Sequence, residues 1–522
     1  MASVKNVLFI MSDQLRADYL SSYGHPTLQT PHIDGLAKRG VTYTRAYTPA
    51  PLCGPARASF YTGRSMFSHG SVWNFVPLSI REHMIGDLLR DHGLKVSLDG
   101  KTHHRPDEVA MERFGIDPQS APGRSLLTGG FEIVDRYEGH ANPGPDHPYV
   151  DYLRENGYDS EDPWEDYVVS GEGPDGEVLS GWFARNCALP ARVAEEHSET
   201  AYTTDIGIRF IEEQGEDPWF LHLSYIKPHW PYIAPAPYHD MYGVEDCTPV
   251  VRSDAELEDA HPVYKAFAQH VDSLTFQRDD VLDIVRPVYM GLVKQLDDHL
   301  GRLFRMLEET GRMDDTLILF TSDHGDYLGD HWLDEKELHH EPSTRIPLII
   351  YDPDSAADTT RGTVDERLVE GMDFVPTFLE AVGAPVPEHL LEGLSLLPSI
   401  RGETGGSWRD IAVSEMDYTF RDARVELGQD PRKCRGYMAR GERFKYVLWE
   451  GFAPQLYDLE NDPDELHDLG TDPAYTSIRS ELHEHLFTWM RNRKLTVTLP
   501  KEDVVLVRED ILPKVGIHIG EY

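Results

Sequence analysis

Asn6-Val7-Leu8-Phe9-Ile10-Met11-Ser12-Asp13-Gln14 opens the readable part of the chain: a short apolar run that stops at three polar residues. An apolar run without alternation is the pattern of a strand buried on both faces of a parallel sheet. Polar residues just past such a strand's C-terminal end lie where α/β sheets hold ligands. The arrangement recurs three times. Leu94 to Leu98 runs into Asp99-Gly100-Lys101-Thr102-His103, Trp219 to Tyr225 into Lys227-Pro228-His229, and Leu317 to Phe320 into Thr321-Ser322-Asp323-His324-Gly325. Between them lie helical stretches. Thr30-Pro31 caps a helix to Arg39, with Ile33, Leu36 and Ala37 on one face and Gly40 as its stop. Glu82 to His92, Thr203 to Glu213 and Met372 to Val382 also read as helices, and Pro287 to Thr310 as the longest. Val41 to Tyr47 and Arg345 to Tyr351 read as further strands. This alternation predicts an α/β fold, one large mostly parallel sheet flanked by helices.

Beyond residue 400 the pattern changes. Tyr446 to Trp449 and Gln455 to Leu459 read as paired strands and Tyr475 to Met490 as a helix. A catalytic α/β domain over 1–399 is therefore expected, with a smaller C-terminal antiparallel α+β domain over 400–522. Leu495 to Tyr522 has no core of its own and is expected to act as an arm on a neighbouring subunit. Arg105 to about Glu196, rich in Gly, Pro, Asp and aromatics, reads as long loops that wall a substrate pocket.

The chain has 522 residues, 40% of them hydrophobic, which is enough for an extensive core. Lys and Arg number 49 against 90 Asp and Glu, a formal charge of −41 that excludes nucleic acid and anionic membrane surfaces as partners. An anionic substrate has to be met by a local positive cluster. The four cysteines, at 53, 187, 247 and 434, show no C-x-x-C spacing, so neither a zinc site nor a disulfide framework is indicated and a reduced compartment fits. Val7 to Met11 is too short for a signal-peptide core or a membrane span, and with numbering that begins at Met1 a cytoplasmic location is expected.

Pro51-Leu52-Cys53-Gly54-Pro55-Ala56-Arg57 presents one cysteine at the positive end of a helix. Gly54 and Pro55 set the turn, Pro55 suits a first helical position, and the free amides favour an anion at residue 53. Arg57, four residues on, falls one turn away on the same side. Asp13, Gln14, Asp323 and His324 offer two carboxylates, an amide oxygen and an imidazole nitrogen. With an atom of residue 53 they make a plausible site for a hard-to-borderline divalent ion. Asp326, Asp330, His331, His339 and His340 have the composition of a second metal cluster, but are read as pocket wall and solvated loop.

The C-x-P-x-R spacing, Asp13-Gln14 and Thr321-Ser322-Asp323-His324-Gly325 resemble the sulfatases and phosphonate monoester hydrolases of the alkaline phosphatase superfamily, from near Asn6 to about Asp464. The resemblance implies that a formylglycine-generating enzyme converts Cys53 to formylglycine. It implies one divalent metal ion, Ca2+ or Mn2+, on Asp13, Gln14, residue 53, Asp323 and His324; many sulfatases carry Asp and Asn where Gln14 and His324 stand, which leaves the metal open. It implies catalytic roles for Cys53, Arg57, Lys101, His103, His229 and Lys336, and substrate contacts from Asn74, Lys101, His229 and Lys336. In the implied mechanism one formylglycine hydroxyl attacks sulfur in line and His229, with Lys336 nearby, protonates the departing oxygen. His103 deprotonates the second hydroxyl, which expels sulfate. The substrate is then a small sulfate ester, probed best as an aryl sulfate, and the assembly a homodimer or homotetramer.

The Lys101 and His103 pair matches a G-K-x-H segment of sulfatases, where related phosphonate monoester hydrolases carry uncharged residues. Other features look like the phosphonate branch: Cys53-Gly54-Pro55-Ala56-Arg57-Ala58-Ser59, and Lys336 placed 13 residues after Asp323. Arylsulfatase-type hydrolysis with turnover of phosphonate monoesters and phosphodiesters is the main expectation, and phosphonate hydrolysis as the main activity the alternative. An inactive binding protein is disfavoured because Asp13, Cys53, Arg57, Asp323 and His324 are all present.

Overall fold

The computed structural model describes residues 4–493 apart from 140, 404 and 406, together with residue 500. Eleven strands belong to the N-terminal four-fifths of the described chain. They are β1 (Asn6–Ser12), β2 (Val41–Tyr47), β3 (Lys95–Gly100), β4 (Glu132–Asp135), β5 (Ser170–Glu172), β6 (Val178–Ser180), β7 (Trp219–Tyr225), β8 (Thr316–Ser322), β9 (Arg345–Tyr351), β10 (Thr363–Asp365) and β11 (Val369–Glu370). The large sheet has the order β10-β2-β9-β8-β1-β7-β3-β4, with β11 also paired to β2; β5 and β6 form a separate hairpin. β1 is parallel to β7 on one side and β8 on the other, and β3 is parallel to β7. Only β9 runs antiparallel, against β2 and β8. The four strand ends singled out by the sequence thus lie side by side at one end of the sheet, in the order β8, β1, β7, β3.

Alternate residues of β1 feed two cores, Val7, Phe9 and Met11 on one face and Leu8 and Ile10 on the other. The helix Asp279–Glu309 covers the second face with Leu296, Leu300, Leu303 and Leu307, all fully buried. It begins two turns before Pro287, where the sequence places its start. Pro287 removes one hydrogen bond to the Asp283 carbonyl, and Asp283 is exposed, so water can take its place. α1 (Pro31–Arg39) has the expected bounds, but Thr30 does not cap it through its side chain. The Asp297 carboxylate of the long helix does so instead, accepting from the His32 and Ile33 amides at 3.0 and 2.9 Å. The Thr30 hydroxyl is engaged by Ser21.

The stretch expected to be long loops is largely built. It holds the helices Glu108–Phe114, Ala121–Thr128 and Pro148–Glu155, the edge strand β4 and the β5–β6 hairpin. Tyr137, Tyr149, Leu153, Trp164, Tyr202 and Ile226 give it a core of its own. Elements this short, broken by Gly and Pro and packed by aromatics, carry no sustained period.

A second sheet is antiparallel throughout: β12 (Ala412–Asp417), β13 (Arg435–Arg440), β14 (Phe444–Trp449) and β15 (Gln455–Asp458). The helix Thr476–Arg491 packs on it through Leu482 and Leu486. The expected arm, Leu495 to Tyr522, lies outside the described residues except for Pro500. Among the described residues no helix is long and apolar enough to cross a membrane.

β12 fastens the loop that leads to Cys53: the Glu415 amide donates to the Pro49 carbonyl at 2.8 Å. The Glu415 carboxyl is buried, one oxygen accepting from the Phe67 amide and the other without a hydrogen-bond partner. Burial, with Glu392 and Glu370 adding to it, pushes its pKa up to about 8 from 4.5. Because the folded value is the higher one, the neutral carboxyl stabilises the fold fully below the unfolded value, and that contribution is lost as pH rises through 8. Between pH 4 and pH 9 the wild type should lose on the order of 5 kcal/mol that a Glu415→Gln variant keeps. Urea unfolding of both proteins at the two pH values checks this; an equal loss in both would refute it.

Candidate active site

The nucleophile loop delivers Cys53 as the first residue of α2 (Cys53–Thr62), after Leu52 in extended conformation. Pro55 is therefore third in the helix rather than first. It is tolerated there because the amides of the first turn have no intrahelical partner in any case. The Cys53 sulfur is buried, 3.1 Å from His324 Nε2, 3.7 Å from Asp13 Oδ1 and 3.9 Å from Lys101 Nζ. Burial, then the Asp13 charge, pushes its pKa up to about 12. The thiol is neutral at physiological pH and a poor nucleophile as it stands.

Asp13 follows β1 and Asp323 follows β8, so the parallel register of the two strands sets the carboxylates together. Asp323 Oδ1 accepts from the Gln14 and His324 amides at 3.1 and 3.0 Å. Arg57 binds both acids, Nε to Asp323 at 2.9 Å and Nη2 to Asp13 at 3.0 Å. Its Nη1 donates to the Lys101 carbonyl and to Ser224 Oγ, tying in β3 and β7. Arg57 therefore orients the carboxylates, whereas the sequence pointed it at residue 53.

Lys101 reaches the centre because Gly100 ends β3 at φ +99°, with the β7 backbone so close that a Cβ there would lie 2.0 Å from the Ser224 carbonyl. Its ammonium is fully buried, 2.6 Å from Asp13 Oδ2. Burial opposes the Asp13 charge, but the Lys101 and Arg57 cations outweigh it and hold that carboxyl well below its ordinary range.

Asp13, Asp323, His324 and Cys53 offer ligand atoms that all lie within 4.8 Å of one another, every residue buried. The His324 Nδ1–H donates to the Gly325 carbonyl at 2.8 Å, which leaves the Nε2 lone pair facing the cluster. Two carboxylates and one neutral nitrogen suit a divalent ion. Gln14, in a left-handed conformation at φ 64°, sits beside them. Its amide oxygen accepts from Lys336 Nζ at 2.9 Å, and its Nε2 donates to Asp326 at 2.6 Å.

On the other side Lys336 Nζ is 3.5 Å from His229 Nε2, and His229 Nδ1 donates to the Trp230 carbonyl. Burial and the neighbouring Lys101 hold the His229 pKa well below its usual value, so the ring is neutral. Asn74 Oδ1 accepts from the Gly54 amide at 2.9 Å, which turns its Nδ2 into the available donor. His103 is half-buried two residues beyond Lys101, at φ 48°, its amide donating to Glu138 at 2.8 Å.

Asp326, Asp330, His331, His339 and His340 are buried rather than solvated as expected, and among the described residues they do not gather into a group of metal-ligand atoms. Asp326 binds Gln14 and Tyr232, Asp330 pairs with Arg16 at 2.7 Å, and His331 with Glu256 at 2.7 Å. Ser224, Tyr232 and Glu138 escaped the sequence reading, and Asp326 reads there only as pocket wall or solvated loop. Ser224 is a buried strand residue without a motif; Glu138, which also accepts from Thr102 Oγ1 at 3.0 Å, lies in the stretch without period.

Comparison with known proteins agrees with this geometry. The family model described as Sulfatase matches residues 5–384, and one described as N-sulphoglucosamine sulphohydrolase, C-terminal, matches 329–492. The multifunctional alkaline phosphatase superfamily protein PehA of Trinickia caryophylli is 34% identical over 512 residues, spanning 93% of this chain and 95% of its own. An arylsulfatase of Clostridium perfringens is 29% identical over 504 residues, spanning 94% and 95%. The solved structure of the phosphonate monoester hydrolase SpPMH from Silicibacter pomeroyi superposes with a TM-score of 0.83 at 31% identity, covering 95% of this chain and 97% of its own. On sequence and fold alike, the chain belongs to the sulfatase family of the alkaline phosphatase superfamily and is a hydrolase of sulfate or phosphonate esters.

Proposed function

We propose that the chain hydrolyses sulfate monoesters with formylglycine at position 53, and phosphonate monoesters and phosphodiesters as secondary substrates. The observation that carries this reading is the placement of Lys101, a fully buried ammonium 3.9 Å from the residue-53 sulfur. The sulfur marks where the formylglycine oxygens would stand. The hydrated aldehyde would offer one hydroxyl to attack sulfur and a second to expel sulfate by C–O cleavage, which a thiol or serine cannot do.

Asp13, Asp323, His324 and residue 53 would hold the divalent ion, with the Gln14 oxygen at its edge. The ion would supply Lewis acidity toward the nucleophile and the anion. Calcium prefers an all-oxygen shell, so the imidazole favours Mn2+ over Ca2+. Lys101 and Lys336 flank the anion and stabilise charge on its non-bridging oxygens, and Asn74 Nδ2 donates to the same group. The departing oxygen draws its proton from the His229 and Lys336 pair, in which Lys336 is the protonated member at rest. His103 is the base for breakdown of the covalent intermediate. A formylglycine-generating enzyme would supply the aldehyde at position 53.

The test is turnover of an aryl sulfate and an aryl phosphonate with the same leaving group. The wild type should favour the sulfate. Lys101→Ala should lower its kcat/KM by about 10²- to 10³-fold, the effect of one oxyanion donor. His103→Ala should release a burst of phenol and then turn over slowly. A phosphonate monoester hydrolase is the second reading, favoured by the superposition on SpPMH. A wild-type preference for the phosphonate, with sulfatase rates unaltered in both variants, would establish it instead.

A further inference from the structure

Phe75 and Phe420 are half-exposed, at 55% and 50%. Their rings meet edge to face at 4.9 Å, and the buried Trp73 ring lies 6.3 Å from Phe75 and 5.6 Å from Phe420. Both ends of this cluster are tied to reacting groups. Trp73 and Phe75 flank Asn74, whose side chain holds the Gly54 amide next to residue 53. The two backbones touch there, since a Cβ on Gly54 would be 2.9 Å from the Asn74 Cα. Phe420 precedes Arg421, which lies over the Trp73 ring at 5.6 Å and donates to Glu337 at 2.6 Å. Glu337 follows Lys336, the partner of His229.

We propose that Trp73, Phe75 and Phe420 form the subsite for the non-reacting part of the ester, and that the group it takes is planar and apolar. The cluster is linked to the nucleophile through Asn74 and to the proton-donating pair through Arg421 and Glu337, which puts it within reach of a substituent on the departing oxygen. Edge-to-face rings leave open phenyl faces that a flat ring covers better than a branched or charged group does. Arg421 is paired with Glu337 at 2.6 Å and Glu335 at 3.8 Å and so offers no net positive charge to attract an anionic substituent. The inference rests on residue 53 being the reacting centre and holds for a sulfate or a phosphonate.

The experiment is a Phe75→Ser/Phe420→Ser double variant, at exposed positions where the fold does not depend on the rings. Kinetics with 2-naphthyl and methyl sulfate should show the naphthyl-to-methyl selectivity in kcat/KM falling about tenfold, the size of one or two aromatic contacts. Calorimetric affinity for 2-naphthalenesulfonate, which is not hydrolysed, should fall by a similar factor. If no ester is turned over but sulfonate binding weakens, the activity fails and the subsite stands. Unchanged selectivity and unchanged sulfonate affinity would overturn the subsite. A shift in oligomeric state on gel filtration with kinetics unaltered would do so too, and would mark the patch as a subunit contact.

Discussion

A Cys53→Ala variant folds and turns over no ester. The thiol makes three polar contacts, all within the reactive cluster, and starts a helix rather than filling a core, so its loss leaves the packing intact. In unconverted protein, burial and the Asp13 charge raise the Cys53 pKa and so oppose thiolate attack in the absence of the ion. Active wild-type protein should accordingly carry a residue-53 peptide lighter than the cysteine form by roughly 18 Da, the difference between thiol and aldehyde. Cys53→Ser should release about one equivalent of phenol per chain and stop, because a serine sulfate ester needs a second attack at sulfur. Peptide mass and burst amplitude measure the two. Full activity in protein that holds only unmodified cysteine would remove the mechanism.

Asp323 carries the second large effect. Its oxygens accept from Gln14, His324 and Arg57, so truncation to alanine would also leave the buried Arg57 Nε without an acceptor, at a cost of about 1 to 3 kcal/mol, while Nη2 keeps Asp13. Asp323→Asn keeps the shape and most of those bonds while removing the charge that an ion requires. Wild-type protein should gain about 2.7 kcal/mol of stability when Mn2+ is raised to 100 times its Kd. Asp323→Asn should gain nothing at the same concentration, bind no ion by elemental analysis and show no turnover. Equal stabilisation of both proteins by the ion would place the metal elsewhere.

The central strands were readable because burial on both faces leaves little room for polar residues: β1 and β8 appear as unbroken apolar runs, and β7 as one interrupted by the buried His222 and Ser224. Their polar ends were readable for the same reason. Asp13, Lys101, His229 and Asp323 each interrupt such a run, and a parallel register brings interruptions at matching positions to one place. What the chain concealed is set by partners distant in sequence. Asp297 caps α1 across 264 residues, and nothing near Thr30 signals it. The direction of β9 depends on which neighbours it joins, not on its own residues. Arg57 was legible as a neighbour of residue 53 one helical turn away, but its burial and its contact with Asp323 needed β8 in position. The stretch from Arg105 to Glu196 was opaque because its core is made of tyrosines and tryptophans scattered through elements too short to show a repeat.

The burial of Cys53 bears on the order of events in the cell. The thiol becomes inaccessible only when Asp13 and His324 close around it, and His324 lies 271 residues downstream. At synthesis rates of ~5–20 residues per second, roughly 14 to 54 seconds separate the emergence of the two. Any enzyme that works on residue 53 has that interval, plus the time the sheet takes to assemble, in which to find it extended. On the proposed mechanism, a chain that folds before it is reached would stay a thiol, and the active fraction of a preparation would record a race between maturation and folding.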